Sequence, residues 1–378
     1  MKTVLMICPF AKPNVGGVES HLDKLTGSIA GRGQRVVLVT YQPLTSTARG
    51  PRYEKNGNIE IYRAAWFGTG WFPKLEPYFP LVFLYLFPGL LIKSFLVCAG
   101  RRKEIDVIHA HGFAAAAVAK VLLLFFKRRS VISTHAIYNF KERGLLASII
   151  KWLLKGFDSV LAVGEPSRQE LVGIGLESAK VEVHPNWVDT EHFKPMDRAA
   201  CKKALGFGPD DFVVLYLGRL IEMKGIVVLL EAARLTDRDI KFAFVGEGPL
   251  LGRLKEAAGT DDRLRCLGRL GDDEIITAYN AADLFASPVL YEEGFATVYL
   301  EALACGTPVL TAKRGCLPYF LSPEVADMLE SVDAESVMKS LEQHYDNRSG
   351  IEEKRRVCRK YALENFSEKN AEIIIRNY

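Results

Sequence analysis

Residues 283–312, DLFASPVLYEEGFATVYLEALACGTPVLTA, decide how this chain is read. The apolar run at 283–287 reads as a short buried strand stopped by Pro288, and a polar loop containing Gly294 follows it. Residues 295–304 carry helical spacing and end before Gly306 and Pro308, residues that stop helices. A second apolar strand at 309–312 completes a strand–helix–strand unit. Glu293 stands just ahead of the helix, and Glu301 lies near its last turn. At the rise of an α-helix, a group held at the helix N-terminus would sit about 9 Å from Glu301 along the axis. The unpaired N–H groups of a first turn and the helix dipole favour an anion such as phosphate at that point. A phosphate there would have one carboxylate on each side, both good acceptors for sugar or ribose hydroxyls.

A second segment points to the same ligand. Residues 218–225, GRLIEMKG, follow an apolar strand and open a helix, where a phosphate is received. Arg219 can fork onto two phosphate oxygens, and Lys224 supplies a compact point charge. The turn at 246–249, GEGP, is equally readable as a structural turn or as part of the nucleotide side.

The pattern S-P-x-x-x-E-E-G-F-A-x-V-x-L-E-A-L-A-C-G-T-P-V, together with G-R-x4-K-G, resembles the signature of the family 4 retaining glycosyltransferases. That resemblance implies a GT-B architecture: an α/β chain of two Rossmann-like domains facing a central cleft. It implies that Glu293 contacts the transferred sugar and Glu301 the nucleotide ribose. The amides of Gly294, Phe295, Ala296, Thr297 and Val298 would grip the diphosphate with Arg219 and Lys224. Ala296 departs from the family's usual glycine and adds a methyl beside the expected phosphate. Asn186, Val188 and Asp189 resemble the N-G-V-D that closes the first domain, with Trp187 in place of glycine. Retention of anomeric configuration also comes from the resemblance. The residues favour a same-face substitution over a double displacement, because Glu293 is better suited to sugar hydroxyls than to a nucleophile's place.

The N-terminal half reads as alternating strands and helices. Strands are expected at 4–8, 35–40, 59–63, 106–109, 130–135, 159–163 and 181–184, as Val/Ile/Leu-rich runs of a parallel sheet covered on both faces. G-x-G-x-x-G is absent after the first strand, which argues against a nicotinamide oxidoreductase. Gly16 and Gly17 open the first helix instead, and the family places such a pair against the donor phosphate. Ser133-Thr134-His135 resembles the motif that sets a histidine beside the sugar, so His135 and Glu293 are the catalytic candidates. His109 and His111 are read as shaping the site, since no carboxylate ligands accompany them at metal spacing.

Composition bounds these readings. With 378 residues, 49% hydrophobic and 25% charged, the chain is that of a globular protein of two or three domains. Domains are expected at 1–190 and 191–365, with a last helix at 366–378 packing back on the first and Ser367 as its N-cap. The seven cysteines form no C-x-x-C pair, which suits a reducing, cytoplasmic compartment. Residues 1–200 carry 26 Lys and Arg against 16 Asp and Glu, so the basic half is the one expected to meet an anionic partner.

Residues 66–98 are rich in Trp, Phe and Tyr, contain Lys74 and Lys93, and are followed by residues 101–103, RRK. The apolar run at 78–92 is about 15 residues long, short of the roughly 20 a span needs, and is interrupted by Pro80, Pro88 and Gly89, which argues against a transmembrane helix. The stretch reads either as peripheral docking on an anionic membrane surface at the cytoplasmic face or as a core helix with a long loop. The expected function is sugar transfer from a nucleoside diphosphate sugar to a hydroxyl acceptor, a membrane lipid or lipid-linked saccharide, in glycan or polysaccharide biosynthesis. No metal cofactor is expected, because two cations and a helix terminus can hold the leaving diphosphate. The alternative on the same fold is a nucleotide-sugar epimerase or a non-catalytic binding protein. Nucleic acid is not an expected partner, as the basic residues gather on no recognition module.

Overall fold

The computed structural model describes residues 1–14, 16–44, 48–67, 70–75, 78–140 and 144–378. Parts of the aromatic stretch 66–98, namely 68–69 and 76–77, lie outside the described residues, as does Val15 beside the glycine pair. The chain divides into two compact units, Met1–Asn186 with Glu368–Tyr378, and Trp187–Ser367.

The first unit is built on eight strands: β1 (Thr3–Ile7), β2 (Arg35–Tyr41), β3 (Tyr53–Asn56), β4 (Ile59–Ala64), β5 (Val107–His111), β6 (Arg129–Ser133), β7 (Ser159–Ala162) and β8 (Val181–Val183). Their order across the sheet is β3-β4-β2-β1-β5-β6-β7-β8. All pairs are parallel except β3–β4. The sequence YEKN of β3 is polar and mostly exposed, so it shows none of the apolar signal that marks the inner strands. Val4, Leu5, Met6 and Ile7 of β1 are wholly buried, as a strand covered on both faces requires.

The second unit carries β9 (Phe212–Leu217), β10 (Ile240–Val245), β11 (Leu264–Gly268), β12 (Leu284–Ser287), β13 (Val309–Ala312) and β14 (Ala326–Leu329). The order β11-β10-β9-β12-β13-β14 is the doubly wound Rossmann order, with its switch point between β9 and β12. Asp283 sets the entry to β12: its carboxylate accepts the Val213 N–H at 2.8 Å and pairs with Lys202 at 3.0 Å and with Arg198. The helix after β12 spans Thr297–Ala304, two residues later than its spacing suggests, with Ala296 as the N-cap.

Two expectations fail in the first unit. Phe79–Gly100 is one continuous helix running through Pro88. It is long and apolar enough to cross a membrane, with a mean hydropathy of 2.1 and only 39% of its apolar window buried. Pro88 lacks the N–H that would bond to the Leu84 carbonyl, but Leu84 is exposed, so that carbonyl lies on the open face. The next carbonyls gain side-chain donors: Trp66 Nε1 donates to Tyr85 at 2.9 Å and the Tyr41 hydroxyl to Leu86 at 2.6 Å. The prolines and glycine therefore do not break the helix, and length no longer argues against a span. Ser367 is not the cap of the final helix either, since its hydroxyl is buried without a hydrogen bond. That helix, Ala371–Ile375, follows a 3-10 turn at Glu368–Asn370.

Candidate active site

The two loops that flank the β9/β12 switch point are locked together by backbone. The Leu290 N–H donates to the Met223 carbonyl at 2.9 Å. Gly225 sits at φ +74, and a Cβ there would stand 1.8 Å from the Pro288 carbonyl oxygen, so only glycine fits between the loops. The outcome is a salt bridge across them: Lys224 Nζ lies 2.6 Å from Glu293 Oε2, and both side chains are largely buried. The Tyr291 hydroxyl donates to the same Glu293 oxygen at 2.6 Å, and Lys224 sits 5.1 Å from the Tyr291 ring centre. Burial and the Glu293 carboxylate both push the Tyr291 hydroxyl to a higher pKa, so it stays a donor.

A third loop, after β13, fixes the Glu293 backbone. The Cys316 N–H donates to the Glu293 carbonyl at 2.8 Å, and the Gly315 N–H to the Glu292 carboxylate at 2.6 Å. Gly315 is at φ +58 with its missing Cβ 2.2 Å from the Glu293 oxygen, a second position closed to side chains. Arg219 is exposed, and its carbonyl accepts the Tyr216 hydroxyl at 2.8 Å. Phe295 is buried and stacks on Phe320 at 4.0 Å. The helix that begins at Thr297 has no side-chain cap, which leaves its first-turn N–H groups to a ligand or to water. Ala296 holds φ −74 and ψ 128, ordinary for alanine, so its methyl is accommodated without strain. Glu301 accepts the buried Tyr279 hydroxyl at 3.1 Å. Lys224, Glu293, Gly294 and the start of the 297–304 helix thus come from neighbouring loops of one unit.

His135 belongs to the other unit, where it is one member of a five-histidine cluster at the C-terminal ends of the strands. His111 Nδ1 and His135 Nε2 are 3.1 Å apart, and their rings lie nearly parallel with centres 5.3 Å apart. The His109 ring lies tilted against His111 with centres 4.1 Å apart, and its nitrogens meet the Tyr378 hydroxyl at 2.8 Å and the Ser133 hydroxyl at 2.9 Å. His21 lies 5.3 Å from His135 and 5.6 Å from His184, ring centre to ring centre. Burial pushes His135 down to about 4, and burial with the neighbouring His135 pushes His184 down to about 3. Burial and the other imidazoles hold His21, His109 and His111 well below the usual histidine range. All five are neutral at physiological pH. His21 and His184 carry no motif of their own: His21 lies on helix Gly17–Gly31, and His184 directly follows β8.

Gly16 and Gly17 begin that helix, again without a side-chain cap, and a Cβ on Gly17 would meet open space. Among the described residues, no three His, Cys, Asp or Glu side chains take up metal-binding geometry. The Asp237–Asp239 pair is at the surface, with Asp239 bonded to Lys241 at 2.6 Å.

Two doubly wound α/β units, one with an uncapped helix start beside its switch point, are the parts of a GT-B glycosyltransferase fold. Comparison with known proteins makes this specific. Residues 15–192 match the family model "Glycosyltransferase Family 4", and residues 197–365 match "Glycosyl transferases group 1". The chain belongs to the family 4 glycosyltransferases, and it is a glycosyltransferase. It is 25% identical over 348 residues to the phosphatidylinositol N-acetylglucosaminyltransferase GPI3 subunit of Saccharomyces cerevisiae, covering 89% of this chain and 74% of that protein. Over 170 residues it is 35% identical to a D-inositol 3-phosphate glycosyltransferase of Mycobacterium, covering 43% of this chain and 38% of that one. Sucrose-phosphate synthase from Thermosynechococcus elongatus shares the fold with a TM-score of 0.82 at 20% identity, covering 100% of this chain and 98% of its own. The Anabaena protein HepE, solved with UDP-glucose, does so with a TM-score of 0.77 at 19% identity and the same coverage.

Proposed function

We propose that this chain transfers a sugar, with retention and without a divalent metal, from a nucleoside diphosphate sugar to a hydroxyl on a lipid or lipid-linked acceptor at the cytoplasmic membrane face. The observation that carries the proposal is the Lys224–Glu293 contact of 2.6 Å beside an uncapped helix start. A diphosphate at that helix start competes with Glu293 for Lys224 and draws in exposed Arg219. Each cation at about 4 Å from the leaving oxygens is worth on the order of 4 kcal/mol at an effective dielectric near 20, before desolvation. That stabilisation grows as the bond between the anomeric carbon and the diphosphate breaks, which is the condition for catalysis.

Glu293, released from Lys224 and still held by Tyr291, accepts hydroxyls of the sugar, while Glu301 accepts those of the ribose. His135, neutral down to about pH 4, offers the sugar an uncharged imidazole. Gly16 and Gly17 present backbone N–H groups to the donor phosphate. The acceptor oxygen attacks the face the diphosphate leaves, and its proton passes to a departing phosphate oxygen. The lipid character of the acceptor is supported by the relatives named for phosphatidylinositol. The apolar helix Phe79–Gly100 supports a place at the membrane.

The test is transfer from labelled UDP- and GDP-sugars to a membrane-lipid extract, with the product anomer read by NMR. A lipid product with the donor's anomeric configuration is expected. An inverted product, or sugar interconversion that needs no acceptor, would overturn the proposal.

A further inference from the structure

Helix Phe79–Gly100 packs Tyr85, Leu86, Leu90, Val97 and Cys98 into the core, yet leaves Leu84, Ile92 and Leu96 at least 60% exposed. Two adjoining hollows lie along this open side. One, of about 350 Å³, is wholly apolar and lined by Leu91, Ile92, Phe95, Leu96, Val121 and Phe125. The other, of about 280 Å³, shares Ile92 and Leu96 as a wall and ends among Arg52, Arg63, Lys93 and Trp66. Among the described residues, no acidic side chain lines either hollow. Arg63 is neutralised by Glu54 at 2.8 Å, whereas Arg52 and Lys93 form no salt bridge among the described residues. The groove is therefore oily along one half and carries two uncompensated positive charges at the other.

We propose that this groove binds one anionic phospholipid of the bilayer, its phosphate between Arg52 and Lys93 and one acyl tail along Ile92, Leu96 and Phe125. The proposal rests on the membrane part of the function given above, but not on the transfer chemistry. Charge complementarity selects the occupant. A second copy of the chain or a neutral lipid would leave the paired cations without a counter-charge, whereas a phosphodiester supplies one at the boundary between polar and apolar walls. Trp66 stands at that boundary, as tryptophan does at a lipid headgroup level.

The test is flotation of the full chain with phosphatidylcholine vesicles, with and without phosphatidylserine, in the absence of any donor sugar. The wild type is expected to float only with the anionic vesicles and to be released by salt. The double variant Arg52→Glu/Lys93→Glu should lose at least about tenfold in vesicle affinity. Ile92→Asp and Leu96→Asp should lose a similar factor. The exposed control Lys339→Glu, in the second unit, should behave as wild type. All these sites are exposed except the half-buried Lys93, and unchanged melting temperatures would show the variants folded. Equal binding by the charge variants, normal binding by both aspartate variants, or a concentration-dependent dimer abolished by the same changes would each overturn the assignment. Because no donor is present, a failed transfer reaction leaves this result untouched.

Discussion

At the residue scale, the site is organised around one carboxylate that serves two partners. Glu293 is held by Lys224 and Tyr291, each at 2.6 Å, so the unliganded protein keeps this carboxylate ion-paired, and in the function proposed above an anion at the helix start frees it for the sugar. Glu293→Gln preserves shape but removes the charge. It should lower kcat by about 10²–10³-fold, the range for loss of one preorganised electrostatic group. Mass spectrometry of that variant and of the wild type during turnover should find no glycosylated residue 293; a trapped adduct would rule out same-face substitution. Glu293, Glu301, Arg219 and Lys224 were legible because they fall at fixed offsets from strand ends and glycines. Tyr291 and Gly315 were not, since their importance lies in what they touch, Glu293 itself, from within its own loop and from the loop after β13. His21 and His184 were hidden for the same reason: they are 163 residues apart in a chain that brings their rings within 5.6 Å.

At the scale of elements, the inner strands could be read directly because burial on both faces demands unbroken apolar runs. The edge strand β3, with its exposed YEKN, gives no such signal and shows only in the pairing with β4. Helix Phe79–Gly100 was misread because proline was counted as a stop. Proline does not stop a helix whose orphaned carbonyl faces outward and whose next carbonyls meet Trp66 and Tyr41. The junction of the loops after β9 and β12 yields a sharper prediction. Gly225→Ala places a methyl 1.8 Å from the Pro288 oxygen at a left-handed φ, so the loops must separate. The strain alone is worth about 1–3 kcal/mol, which predicts a clear drop in melting temperature together with loss of diphosphate binding. A variant that melts and binds as wild type would show that the two loops are not held as described. At Gly252, exposed and with nothing within 4 Å of its missing Cβ, the same change should be nearly neutral.

At the scale of the whole molecule, the first unit stores its pH sensitivity in the histidine cluster. The folded pKa values lie below the unfolded value of about 6.5, at about 4 for His135 and about 3 for His184. The unfolded chain therefore binds more protons as the pH falls below about 6.5, and stability is lost progressively from there towards pH 4. Melting curves by circular dichroism should decline over that window, and His184→Gln should flatten the slope; an unchanged slope would remove the cluster from this role. The second unit carries the chemistry proposed for the chain, capture of the leaving diphosphate by Arg219 and Lys224 without a metal. The most direct measurement is calorimetric titration of nucleoside diphosphate into the wild type and Lys224→Ala, each in excess EDTA. The wild type is expected to bind undiminished by the chelator, and Lys224→Ala to lose at least about tenfold in affinity. Binding that vanishes with EDTA, or that survives unchanged in Lys224→Ala, would contradict that chemistry.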